Sequence, residues 1–107
     1  MRKQFDMKPE RINITESQIA DFCQSNHIRK FAFYGSVLRD DFRPDSDIDV
    51  LVEFEPDQPI GLMEVVGMER RLSELMGRKV DLRTPKELSR YFRDKVISEA
   101  EVLYEGG

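Results

Sequence analysis

The clearest alternation of apolar and polar positions lies between Phe31 and Phe54. Phe31-Ala32-Phe33-Tyr34 leads into Gly35-Ser36, a polar segment follows through Asp40 to Ser46, and a second apolar run goes from Asp47 to Phe54. Both runs are rich in aromatic and β-branched residues, which predicts strand, turn, strand. Strand side chains alternate between faces, so Asp47 and Asp49 project together while Ile48, Val50, Val52 and Phe54 share the opposite side. Gly35 permits close backbone approach, and Ser36 can cap a short helix after it.

Helical spacing takes over on either side of this pair. Thr15 followed by Gln18 has the form of a capping box, and Ile19, Phe22 and Cys23 recur on one face, predicting a helix from about Glu16 to Ser25. Residues 1–13 are mixed and polar, with Pro9 as a breaker. Glu55 to Gly61 contains two prolines and reads as a loop. Leu62 to Met76 then carries Leu62, Val65, Met68 or Glu69, Leu72, and Leu75 with Met76 along one side of a helix, with Glu69, Arg70, Arg71 and Glu74 largely outward. Gly67 in its interior costs about 1 kcal/mol relative to Ala, which points to close packing there. Gly77 suits the helix stop. Arg78 to Arg83 reads as a short third strand, with Val80 and Leu82 on one face and Asp81 on the other. Thr84-Pro85 opens a helix that continues through Ser89 to Glu99, with Leu88, Phe92 and Val96 on one side. Val102-Leu103-Tyr104 forms a closing edge strand. The predicted class is α+β: a small mixed sheet flanked by helices, in a single domain over residues 1–107.

Composition narrows the chemistry. The chain has 107 residues, 36% of them charged, and a formal net charge of −4. That length supports one core and leaves no room for a separate acceptor-binding domain. An acidic balance argues against nucleic acid as the main ligand, because phosphate contacts require a basic face. Cys23 is the only cysteine, so no intrachain disulfide forms, and a reducing compartment is expected. No apolar stretch approaches the roughly 20 residues of a membrane span, and no apolar signal region follows the basic amino terminus. A soluble, cytoplasmic protein is expected. Cys23 is a core residue rather than a nucleophile, since nothing near it in sequence would activate it. His27 follows a helix and reads as a solvated or dipole-favoured group.

The candidate chemistry lies in three carboxylates and a turn. Phosphoryl and nucleotidyl transfer spread charge over phosphate oxygens, so catalysis there is mostly positioning and charge neutralisation. Mg²⁺ prefers hard oxygen ligands and keeps several waters, so two or three carboxylates suffice. Asp47 and Asp49 can bridge such ions, Asp81 on the next strand can supply a third carboxylate, and backbone amides at Gly35-Ser36 can hold phosphates, with Arg39 in reach. Each part alone has an ordinary reading. Asp-x-Asp and Gly-Ser are common in turns, Asp81 can pair with Lys79 or Arg83, and Arg39 with Asp40 or Asp41. Their joint order is far more specific.

Gly35-Ser36-Val37-Leu38-Arg39, Pro44-Asp45-Ser46-Asp47-Ile48-Asp49-Val50-Leu51-Val52 and Val80-Asp81-Leu82 together resemble the polymerase-β-type nucleotidyltransferase superfamily. The chain is most similar to minimal nucleotidyltransferase domains, the small antitoxins encoded beside HEPN-type ribonuclease toxins. The resemblance implies ATP as cosubstrate, two Mg²⁺ ions, and transfer of AMP to a tyrosine hydroxyl of a HEPN toxin partner, which silences it. It implies Asp47, Asp49 and Asp81 as catalytic metal ligands, with Asp81 also helping to activate the acceptor hydroxyl. Gly35, Ser36, Arg39 and Ser46 would bind the nucleotide. Asp40 stands where relatives commonly carry Gly, which brings a negative charge near the phosphates. Two alternatives stay open: masking of the partner by stoichiometric binding without chemistry, and nucleotidyl transfer to RNA or a small molecule.

Overall fold

The computed structural model describes residues 14–38 and 46–106. The first thirteen residues, Arg39 and Asp40 lie outside them. Helix α1 (Glu16–Ser25) starts as its sequence dictates: the Gln18 amide donates to Thr15 Oγ1 at 3.1 Å, and the Thr15 amide donates to Gln18 Oε1 at 2.9 Å. These two bonds satisfy orphan N–H groups of the first turn. Ile19, Phe22 and Cys23 are buried. The chain then reverses through His27, at φ 57°, into β1 (Ile28–Tyr34). A 3₁₀ turn (Gly35–Leu38) follows, and β2 (Ile48–Phe54) returns antiparallel to β1.

Helix α2 (Leu62–Met76) carries the chain across to β3 (Val80–Arg83), which lies parallel to β2. A parallel neighbour needs such a crossover, because no tight turn can supply one. Gly77 ends α2 in the left-handed region at φ 69°, a conformation that Gly adopts without steric cost. A 3₁₀ turn (Pro85–Glu87), helix α3 (Arg93–Glu99) and the edge strand β4 (Glu101–Glu105), antiparallel to β1, complete a four-stranded mixed sheet of order β3-β2-β1-β4. Among the described residues, no helix is long and apolar enough to cross a membrane.

The sheet has two unlike faces. On one, Phe31, Phe33, Ile48, Val50, Val52, Val80 and Leu82 are all buried and join the core with α1 and with Met68, Leu72 and Met76 of α2. The rings of Phe31 and Phe33 meet edge to face at 5.8 Å, a favourable aromatic geometry. Val102 and Leu103 fall in a strand as the pattern predicts, and Cys23 is fully buried, its thiol pushed up to about 12 by burial.

Four local expectations are corrected. Leu62 and Leu75 leave the core side of α2: Leu62 is 78% exposed and Leu75 39%. Glu69 turns inward instead, and its Oε2 accepts from the Leu82 amide at 2.8 Å, while Ser73 Oγ accepts from the Val80 amide at 2.9 Å. Helix side chains thus satisfy the outer donors of edge strand β3. Gly67 has open space around it rather than a close neighbour. The helix expected from Thr84 to Glu99 is interrupted. The Arg93 guanidinium donates to the carbonyls of Pro85 and Leu88, groups that amides of a continuous helix would otherwise occupy, and Phe92 is 63% exposed rather than packed.

Two substitutions test this packing. Leu72→Ala removes a fully buried side chain and is expected to lower the unfolding free energy by about 2–5 kcal/mol. Gly67→Ala, with nothing within 4 Å of the added Cβ, is expected to raise it by up to about 1 kcal/mol. Urea unfolding midpoints read both, and a Gly67→Ala midpoint below that of the native chain would show a packing constraint at that position.

Candidate active site

The second face of the sheet gathers the polar groups that the first excludes. Antiparallel pairing sets Tyr34 opposite Asp49, and parallel pairing sets Asp49 opposite Asp81. Tyr34, Asp49 and Asp81 therefore form one rung across β1, β2 and β3. Directly paired side chains share a face, so this rung lies behind the core row of Phe33, Val50 and Leu82. Asp47 stands just before β2, and its neighbour Ile48 donates its amide to the Lys79 carbonyl at 2.9 Å, continuing the β3 register past the strand's end.

Gly35 closes the rung at the end of β1. Its φ is +75°, and a Cβ built on it would stand 2.6 Å from Asp49 Oδ2. Only glycine combines that backbone with that approach. Ser36 follows in the 3₁₀ turn, and Ser46 immediately precedes Asp47. Of the predicted residues, the fold thus brings together Gly35, Asp49 and Asp81, with Ser36 and Asp47 flanking them. Arg39 lies outside the described residues, as does Asp40.

Basic side chains stand against two of the carboxylates. Arg83 Nη2 donates to Asp81 Oδ2 at 3.1 Å, and Lys79 Nζ lies 3.9 Å from Asp47 Oδ2. Both pairs are substantially exposed to solvent. The adjacent Asp81 carboxylate raises the Arg83 guanidinium above its ordinary value. Tyr34 is half-buried; desolvation, followed by the negative charge of Asp49, pushes its phenol up to about 12, against an opposing pull from Arg83. It is a neutral phenol at physiological pH.

Three carboxylates supply the hard oxygen donors that Mg²⁺ takes, and the missing Cβ of Gly35 lets the Asp49 carboxylate lie directly against the turn. The donor set fits a divalent cation. As the side chains stand, no group of three or more His, Cys, Asp or Glu converges to hold a metal among the described residues; Asp47 leans toward Lys79 and Asp81 toward Arg83.

An open groove of about 650 Å³ adjoins the rung. Tyr34, Gly35 and Leu38 form one side, and Phe92, Lys95, Val96 and Glu99 the other. The sequence pattern placed Phe92 and Val96 on a packing face and so concealed this groove. The interrupted helix was the missing signal, and Ser89, whose hydroxyl accepts from the Tyr91 amide at 3.3 Å, marks it. His27 is at the other end of β1, with Nδ1 3.8 Å from Glu55 Oε1, and takes no part in this site.

A family model described as a nucleotidyltransferase domain matches residues 16–103. A Methanocaldococcus jannaschii protein, provisionally named a protein adenylyltransferase, is 35% identical over 72 residues, which cover 67% of this chain and 71% of that protein. Two solved structures share the fold. A toxin–antitoxin crystal structure with AMP-PNP superposes with a TM-score of 0.70 at 19% identity, covering 88% of this chain and 75% of that one. A Shewanella oneidensis complex of a tri-AMPylated HEPN toxin with an MNT antitoxin superposes with a TM-score of 0.62 at 19% identity, covering 86% and 70%. With the family model spanning most of its length and the rung of carboxylates beside the Gly35 turn, the chain belongs to the nucleotidyltransferase-domain family.

Proposed function

We propose that this chain, acting as one minimal nucleotidyltransferase domain over residues 1–107, is a Mg²⁺-dependent protein adenylyltransferase. It transfers AMP from ATP to a tyrosine hydroxyl of a HEPN-type ribonuclease toxin in the cytoplasm and thereby neutralises that toxin. The observation that carries the reading is the rung of Asp49 and Asp81 beside Gly35, whose missing Cβ admits the Asp49 carboxylate against the backbone of the turn. The name of the Methanocaldococcus jannaschii relative supports protein as the acceptor, and the AMP-PNP and tri-AMPylated toxin structures support ATP and a HEPN partner.

Asp47, Asp49 and Asp81 are the residues that would hold Mg²⁺, which neutralises phosphate charge when bound. Ser36 and the backbone beside Gly35, with Arg39 and Ser46, hold the triphosphate. The tyrosine oxygen forms a bond to the α-phosphorus as the bond from that phosphorus to the bridging oxygen breaks, and pyrophosphate leaves. Asp81 accepts hydrogen bonding from the attacking hydroxyl and takes its proton on the way to solvent. Arg83, beside Asp81, opposes the extra charge while the proton is absent.

A second reading, masking of the partner without chemistry, draws on one observation: Lys79 and Arg83 stand where cations would be needed, and no described trio of carboxylates converges.

Intact mass of the neighbouring-gene partner after co-expression separates the two. The native chain is expected to add adenylate-sized steps, and the Asp47→Asn, Asp49→Asn variant to lose at least 1,000-fold in modification rate while still binding. An unmodified partner in stable complex with the native chain would establish masking. Gly35→Ala supplies a finer test. Its Cβ displaces the Asp49 carboxylate, and the left-handed backbone costs about 1–2 kcal/mol; modification is expected to fall at least 100-fold in a chain that still folds at 25 °C by circular dichroism.

A further inference from the structure

The groove beside the rung has a composition that identifies its occupant by exclusion. Among the described residues, its walls are Tyr34, Gly35, Leu38, Phe92 and Val96, with Lys95 and Glu99 spaced a helical turn apart on α3. A triphosphate brings several negative charges, and on the α3 wall Lys95 is balanced by Glu99, so that wall offers no net positive charge to answer them. The phosphates therefore belong at the Gly35 end, and the α3 wall suits something largely uncharged. Two ligands of the site have such a part: the nucleoside, and the acceptor segment carrying the hydroxyl.

The surface beyond the groove decides between them. Phe92 is 63% exposed and its neighbour Tyr91 is 79% exposed, so the apolar wall continues outward past the rim. Arg90 lies over the Tyr91 ring at 5.3 Å, which makes Arg90 and Tyr91 a cation–π pair on that rim. A nucleoside fills a recess and leaves outlying aromatics in water. A protein segment covers them, and aromatic and arginine side chains at a rim are the residue types that anchor protein interfaces. The groove also runs up to Tyr34 and Gly35, the residues paired with and packed against Asp49, so a segment lying along Phe92 leads toward the rung.

We infer that the groove between Tyr34-Gly35 and α3, with its Tyr91–Phe92 rim, is the docking site for the partner's acceptor segment, an extended or helical stretch whose apolar side chains flank the modified hydroxyl. The inference rests on the protein-acceptor reading for the identity of the occupant. It makes Phe92 a specificity-determining residue that contacts the acceptor and not the nucleotide.

The test uses the full chain and the purified neighbouring-gene HEPN protein, with AMP-PNP and Mg²⁺ as the nucleotide probe. Tyr91→Ala and Phe92→Ala replace exposed side chains and leave the core intact. Calorimetry is expected to show partner affinity at least tenfold weaker in the double variant, with AMP-PNP affinity within twofold of native. A tenfold loss for AMP-PNP with partner affinity unchanged would give the groove to the nucleoside and overturn the inference; so would no change in either. Intact partner mass keeps the two readings separate. If the native chain binds without modifying the partner, yet the double variant weakens that binding, the transferase reading falls while the docking groove stands.

Discussion

The register between β1, β2 and β3 is the constraint on which the rest of this structure depends. A strand's side chains alternate strictly, so sliding β2 by one residue would exchange its two faces. That slip would carry Asp49 into the layer now filled by Phe31, Phe33 and Leu72, and expose Val50 and Val52. Burying an unpaired carboxylate costs several kcal/mol, on top of the lost apolar burial. The hydrophobic core and the polar rung are therefore two outcomes of one pairing. The core specifies where the carboxylates stand, so the strand pairing that sets stability also sets the candidate site.

Much of this was legible in the chain because the local signals agree with the tertiary environment. The Thr15–Gln18 box, Gly77 and the alternation from Asp47 to Phe54 each have a mechanism that acts within a few residues, and both long helices begin and end where those signals place them. The α+β class and the mixed four-stranded sheet followed from the same elements. Misreadings arose where a local pattern met a non-local partner. Helical spacing alone cannot tell which turns of α2 reach the sheet, so Leu62 and Leu75 looked equivalent to Leu72. Glu69 resembled a solvated residue until β3 offered an amide to it. The helix expected after Pro85 fails because Arg93 reaches back to carbonyls five and eight residues earlier, a contact no periodicity encodes.

The candidate site divides along the same line. Gly35, Asp49 and Asp81 were visible as motif residues, and their convergence required only correct strand pairing. The counter-charges were half visible: Arg83 and Lys79 sit near Asp81 in sequence, but the approach of Lys79 to Asp47 exists only because β3 runs parallel to β2. Tyr34 carried no motif signal. It enters through its place opposite Asp49 and its half-buried ring. The groove came last, because its second wall depends on where α3 starts.

The basic partners of the carboxylates bear on how the site would load. Asp81 and Arg83 are 34% and 45% exposed, and Asp47 and Lys79 are 51% and 78% exposed. Ion pairs this open are typically worth no more than about 1 kcal/mol. Pairs of that strength would be too weak to exclude a divalent ion if the carboxylates turned to hold one. Under the proposed function, Arg83 and Lys79 would serve as replaceable counter-charges, reducing repulsion among the carboxylates before nucleotide binds. A buried pair would have locked the carboxylates, since breaking it leaves an uncompensated charge out of water. Strand pairing fixes where Asp47 and Asp81 stand, and their solvent exposure leaves both reachable.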